Sequence, residues 1–145
     1  MNNLRSDHMN NTISRIGKYK EILADIGEID IRVQELEDEI LGISGQGMEE
    51  RTGKTYKITS SVEQQAEKLM ERKEELYKQQ IAKKRELKRI DNAITILTEE
   101  EKDIMQIIHI EHRKYYVVQE KLMLSYQRIK QLEKQAIIKM ERYIC

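Results

Sequence analysis

The sequence predicts an all-α protein, with a long coiled-coil-like helical hairpin followed by a small C-terminal head of three helices. Three observations carry this. The 145 residues hold no proline, tryptophan or phenylalanine and 36% of them are charged, so little here breaks a long helix and little fills a wide core. Apolar residues recur at gaps of three and four over most of the chain, which is the helical period. Ser60-x-x-Glu63 and Thr98-x-x-Glu101 are capping boxes that mark helix starts.

The first helix is expected from about Asn11 to Leu41. Ile16, Tyr19, Leu23, Ile26, Ile29, Val33, Leu36 and Ile40 form its stripe, with a mean spacing close to that of a coiled-coil seam. Ile13, Ile22 and Ile31 lie off that stripe and widen the face toward a second partner, such as another copy of the chain. Gly17 and Gly27 sit inside the helix, each costing roughly 1 kcal/mol against alanine, so a bend or a close neighbour is expected there.

Residues 42–60 hold four of the six glycines and no helical period, and read as a mobile surface loop. Ser60 then caps the second helix. Its seam runs through Val62, Ala66, Leu69, Lys73, Leu76, Gln80, Lys83, Leu87, Ile90, Ile94 and Leu97, with three polar members in the middle. Spans of about 30 and 36 residues correspond to roughly 45 and 54 Å, and the loop between them suggests an antiparallel pairing. The expected organisation is therefore an arm, 1–96, with a Gly-rich loop at 42–60, and a head, 97–145. The basic run Lys83-Lys84-Arg85-x-x-Lys88-Arg89 reads as a solvated helix face.

Within the head, Thr98 caps a helix whose first turn carries Glu99, Glu100 and Glu101, where the helix dipole favours acids. The helices are expected at about Glu99–Glu111, Tyr115–Leu122 and Tyr126–Tyr143, with Ser125 capping the last. Two helices joined by so short a break form a helix-turn-helix, whose second helix lies in a DNA groove. On that last helix Ile129, Leu132, Ala136, Ile137, Met140 and Ile144 share one face, suited to packing on Ile104, Ile107, Ile108, Val118 and Leu122. Tyr126, Gln127, Lys130, Gln131 and Lys134 share the other, with Arg128 at its edge.

These polar residues suit duplex DNA. Glutamine can be bidentate to adenine, arginine and lysine reach guanine or phosphate, and tyrosine reaches a phosphate or a thymine methyl. Tyr126, Gln127, Arg128, Lys130 and Gln131 are the base-edge candidates; Lys134, Lys121 and Lys114 are the phosphate candidates. A formal net charge of zero argues against a nucleic-acid partner, but the charge is segregated. Residues 97–112 carry five acids and one base, whereas 113–145 carry eight bases and three acids, a net of +5.

The stretch from Leu124 to Met140, LSYQRIKQLEKQAIIKM, resembles the helix-turn-helix of the fourth conserved region of bacterial sigma factors, which reads the −35 promoter element. Ser125, Arg128, Ile129, Lys130, Gln131, Leu132, Glu133, Ala136, Ile137, Lys139 and Met140 are identities or close substitutions. Upstream, Leu97–Glu101 and Ile107-Ile108 match the helix that precedes the reader pair in that family. Tyr126 and Gln127 replace an Arg-Glu pair used on bases, which implies an altered target sequence. Gln119 stands for a small alanine, and Met123 and His112 stand for glycines, so a distorted turn is expected. The whole layout is similar to phage and prophage late-gene regulators of Gram-positive bacteria, the ArpU and RinA types. That resemblance implies regulation of phage transcription with bacterial RNA polymerase as a partner beside double-stranded DNA. No aromatic-rich segment suited to strand melting is present, so an activator or partial sigma-like factor is expected rather than a complete initiation factor.

Other chemistry finds little footing. His8, His109 and His112 lack a third ligand at suitable spacing, the lone Cys145 builds no disulfide or cysteine metal site within one chain, and Gly53-Lys54-Thr55 lacks the first half of a P-loop. We expect no enzyme, no catalytic residue, no metal and no cofactor. The N-terminal residues have no apolar run like that of a signal peptide and no membrane span is evident, so a cytoplasmic protein is expected. The alternatives are a phage DNA-packaging recognition subunit and a coiled-coil interaction protein that does not bind DNA. A homodimer through the arm is compatible with each.

Overall fold

The computed structural model describes residues 2–47 and 55–144. Among these residues every regular element is helical and there is no strand. In chain order α1 spans Asn2–Gly17, α2 Tyr19–Gly47, α3 Thr55–Ile94 and α4 Glu99–Ile104. A π-helical stretch over Met105–Ile110 continues α4, and α5, Tyr115–Leu122, and α6, Tyr126–Ile144, complete the chain. Two compact units result: Ala24–Lys83, and Met1–Leu23 with Lys84–Cys145.

In the unit of residues 24–83, Ile29, Val33 and Leu36 of α2 are buried, and Val62, Ala66, Leu69 and Leu76 of α3 are half-buried. The three polar seam positions of α3 find partners on α2. Lys73 pairs with Glu37 at 3.0 Å and Lys83 with Asp25 at 2.9 Å. Gln80, itself buried, donates to the Asp30 carboxylate and to the Ile26 carbonyl at 3.4 Å. Partner numbers rise along α2 as they fall along α3, so the two helices run antiparallel within one chain. A buried amide this well satisfied is compatible with helix packing and fixes its register.

The other unit has two apolar clusters that share α6. Ile129 and Leu132 pack with Ile104, Ile107 and Val118. Ala136, Ile137, Met140 and Ile144 pack with Ile16, Ile90, Ala93, Leu97, Met105 and Ile110. The π-helical stretch explains how one short segment serves both. Glu111 N–H bonds the Gln106 carbonyl at 2.9 Å, a wider turn than the α-helical one. That widening separates Ile107 and Ile110, three residues apart and otherwise on one face of an α-helix, so that each enters a different cluster.

Several expectations change here. The first helix starts at Asn2, not Asn11, because Met9 and Ile13 pack on the second cluster and draw the N-terminal turns into the fold. It is broken at Lys18, whose N–H bonds the Arg15 carbonyl at 3.3 Å, a tightened turn, before Ile22 N–H resumes on the Lys18 carbonyl at 2.9 Å. The break shifts the phase, so Ile22 is buried and Leu23, expected in the seam, is 48% exposed. Gly17 has its close neighbour: a Cβ there would lie 3.3 Å from the His112 ring. Gly27 has none within 4 Å and α2 runs straight through it. The loop expected over 42–60 is shortened from both sides, since α2 extends to Gly47 and α3 begins at Thr55. Residues 48–54, with the remainder of that loop, lie outside the described residues. Ser60 is inside α3 and therefore does not cap it. The helix expected over Glu99–Glu111 is α-helical only to Ile104.

Candidate nucleic-acid interface

α4 starts as its sequence dictates. Glu101 N–H donates to the Thr98 hydroxyl at 3.3 Å and Thr98 N–H to the Glu101 carboxylate at 3.4 Å, the reciprocal bonds of a capping box. Glu101 is buried and also receives Lys139 Nζ at 2.6 Å, which ties the start of α4 to α6. Ser125 caps α6 in the expected manner, its hydroxyl accepting from Arg128 N–H at 3.2 Å.

Between α5 and α6 the chain turns at Met123, which adopts the left-handed conformation, φ 55° and ψ 40°. Its N–H bonds the Gln119 carbonyl at 2.9 Å, closing α5 as a glycine at this place would. His112, before α5, also has positive φ, at 54°. Its Nε2 lies 2.8 Å from the Gly17 carbonyl oxygen. The turn expected to be distorted thus has ordinary left-handed geometry, reached by a methionine at a cost in strain. Met123 is 85% exposed, so its side chain returns little packing for that strain. Met123→Gly should raise stability by about 1 kcal/mol, read as an upward shift of the urea midpoint.

The expected face divisions of α6 are present. Ile129, Leu132, Ala136, Ile137, Met140 and Ile144 are all buried, and Ser125, Tyr126, Gln127, Arg128, Lys130, Gln131 and Lys134 are all exposed. Gln127 projects without a side-chain partner among the described residues, and Arg128 reaches only the Gln131 amide oxygen, at 3.3 Å. Two of the phosphate candidates stand elsewhere: Lys121 pairs with Asp103 at 3.3 Å, and Lys114 is the exposed residue preceding α5. Lys134 lies further along α6, beside α1.

Tyr126 and Lys130 flank the face and join a cluster that the periodicity alone did not reveal. At its centre is Glu133, 7% exposed although it belongs to the basic half of the head. The Tyr115 hydroxyl donates to its Oε2 at 2.8 Å, His109 Nε2 lies 3.2 Å from the same oxygen, and Lys130 Nζ is 3.5 Å from Oε1. Lys130 also donates to the Tyr115 oxygen at 3.1 Å and sits 4.7 Å above that ring. Tyr126 meets Tyr115 edge to face, with centroids 5.3 Å apart. Burial pushes the Glu133 carboxyl up, but the hydrogen bonds from His109 and Tyr115 and the nearby Lys130 charge outweigh it and hold it below the ordinary range. The Tyr115 bond is the main reason that Lys130 is held above its usual value and stays charged.

Two consequences follow for the outer face. The one carboxylate on the first three turns of α6 is folded inward, leaving amide, guanidinium and ammonium groups outside. Lys130 and Tyr126 are held in place by Tyr115. The sequence places Glu133 beside Leu132 at the edge of the apolar side of the helix, but its inward turn depends on donors brought by segments distant in sequence. His109 and His112 point to Glu133 and Gly17, and among the described residues no three metal-ligating side chains converge. No described helix is long and apolar enough to cross a membrane. No protein-family model, curated protein or solved structure matches the chain.

Proposed function

We propose that this protein is a sequence-specific DNA-binding transcription regulator of the sigma-like type, acting at phage promoters together with host RNA polymerase. In this reading α4 to α6 are the helix-turn-helix head and α6 is the reader. Gln127, Arg128, Lys130 and Gln131 address base edges with Tyr126, while Lys134, Lys114 and Lys121 address phosphates. The antiparallel pair α2–α3 is the arm, serving a second copy of the chain or the polymerase. Leu41, Met70 and Ile81 leave large apolar side chains in solvent on it, as a contact surface would.

The observation that carries the reading is the composition of the exposed face at the start of α6. Ser125 to Gln131 present donors and one amide acceptor pair, and Glu133, the nearest acid on the helix, is drawn inside. Left-handed backbone at Met123 and His112, the positions where the resembled family has glycines, supports the sigma-like form of the turn. The experiment is co-precipitation with host RNA polymerase followed by sequencing of the DNA retained. Recovery of polymerase subunits with fragments that converge on one motif is expected. Retained DNA without a common motif would remove sequence-specific reading from the account.

A further inference from the structure

We infer that α1 is a second wall of the DNA-binding surface, and that the groove between α1 and α6 holds the sugar–phosphate backbone of a duplex, with Arg5 as its principal new contact. This rests on the reading of α6 as a duplex-binding helix, but adds an element that the sequence pattern left outside it.

α1 runs in the same direction as α6. Arg15, near its C-terminal end, donates to the Ile144 carbonyl at the C-terminal end of α6. Residues one to three turns earlier on α1 meet Lys134 and Ile138, themselves earlier on α6. The two helices therefore run parallel, and the N-terminus of α1 points the same way as the reader end of α6. Arg5 comes level with Lys134, eight residues or about 12 Å along α6 from Tyr126.

A groove of about 620 Å³ lies between them. Its polar lining is Arg5, Ser6 and Asn10 from α1 and Lys134 from α6, all exposed. Two cations and two neutral polar side chains meet there, and no carboxylate does. Neither Arg5 nor Lys134 has an ion-pair partner among the described residues. Their charges are thus uncommitted, unlike that of Arg15, which is engaged by Glu86 at 2.7 Å. The floor of Met9, Ile13 and Ile138 offers apolar contact of the kind a deoxyribose accepts. The grooves between α2 and α3 mix both signs: Glu35, Glu39 and Glu75 stand with Arg32 and Arg72 in one, and Glu37 and Glu74 with Lys73 in another. A carboxylate in the lining would repel a run of phosphates, and none lines this groove.

The test is fluorescence anisotropy of a labelled random-sequence duplex with the full chain, across a salt series. For Arg5→Ala we expect binding about three- to tenfold weaker at low salt and a slope of log K against log salt shallower by about 1, with Arg5→Lys restoring the slope. Arg5 is exposed, so circular dichroism and melting of the variants should match the parent. A parent that binds with a steep salt slope and an Arg5→Ala variant with the same slope would overturn the groove while leaving α6 as reader. A parent with no salt-dependent affinity for the duplex would overturn both.

Discussion

Replacing Ile129 by alanine is expected to destabilise the unit that contains α6 by about 3 kcal/mol, and Ile129→Val by about 1 kcal/mol. Ile129 is fully buried, one helical turn beyond the Ser125 cap, and packs with Ile104 and Ile107 of α4 and its π-helical continuation and with Val118 of α5. Alanine removes the apolar burial and leaves a void that those three side chains cannot all close upon. Valine removes a single methylene, so the ratio of the two effects separates cavity formation from a change in helix propensity. Urea denaturation followed by circular dichroism reads both. Equal, small effects for the two variants would mean that α6 is not seated on this cluster.

The second large effect belongs to Glu133. Glu133→Ala strands the Tyr115 hydroxyl and removes the carboxylate beside His109 and Lys130, at an expected cost of about 2 kcal/mol. The same group makes stability depend on acid. Its folded-state pKa is lowered, as is that of Glu86 beside Arg15, where the hydrogen bond from the guanidinium outweighs burial. For a depressed carboxylate the contribution is complete above the unfolded-state value, about 4.3, and is lost as pH falls through the lower folded-state value. The parent should therefore lose stability between about pH 5 and pH 3, and Glu133→Gln should lose less over that interval. Urea midpoints at about pH 6 and about pH 3 provide the comparison; a Glu133→Gln variant with the parent's full acid sensitivity would show that this carboxylate contributes nothing to it.

Which parts of this were legible in the sequence follows from the kind of signal each leaves. The apolar face of α6 and the seam of α3 were readable because burial repeats at the helical period, and every seam position from Val62 to Leu97 is at least half-buried. The Thr98 and Ser125 caps were readable because a cap is a local bond between residues three apart. Ser60 has the same local signal, yet α3 starts earlier at Thr55, so a capping sequence permits a start without requiring one.

The rest depends on contacts distant in sequence. The break at Lys18 goes with the approach of His112 to Gly17, ninety-five residues apart. From there on the phase of α2 exposes Leu23 and buries Ile22. The π-helical stretch over Met105–Ile110 is set by two clusters competing for neighbouring side chains, which a single period cannot express. α1 begins earlier than its period suggests because α6 covers Met9 and Ile13. At the candidate interface, residue types and exposure were readable, whereas the inward turn of Glu133 was not, since it needs donors from the π-helical stretch and from α5.

The central claim is that the exposed start of α6 reads DNA bases. Its most direct test is titration of a labelled duplex carrying the motif recovered with the polymerase, by the parent and by Arg128→Ala with Gln131→Ala. These two side chains touch each other and solvent and lie outside the Glu133 cluster, so the fold is preserved. The account predicts binding at least about tenfold weaker for the double variant on that duplex, a smaller loss on unrelated duplexes, and unchanged melting. A folded double variant that binds the duplex as tightly as the parent would contradict it.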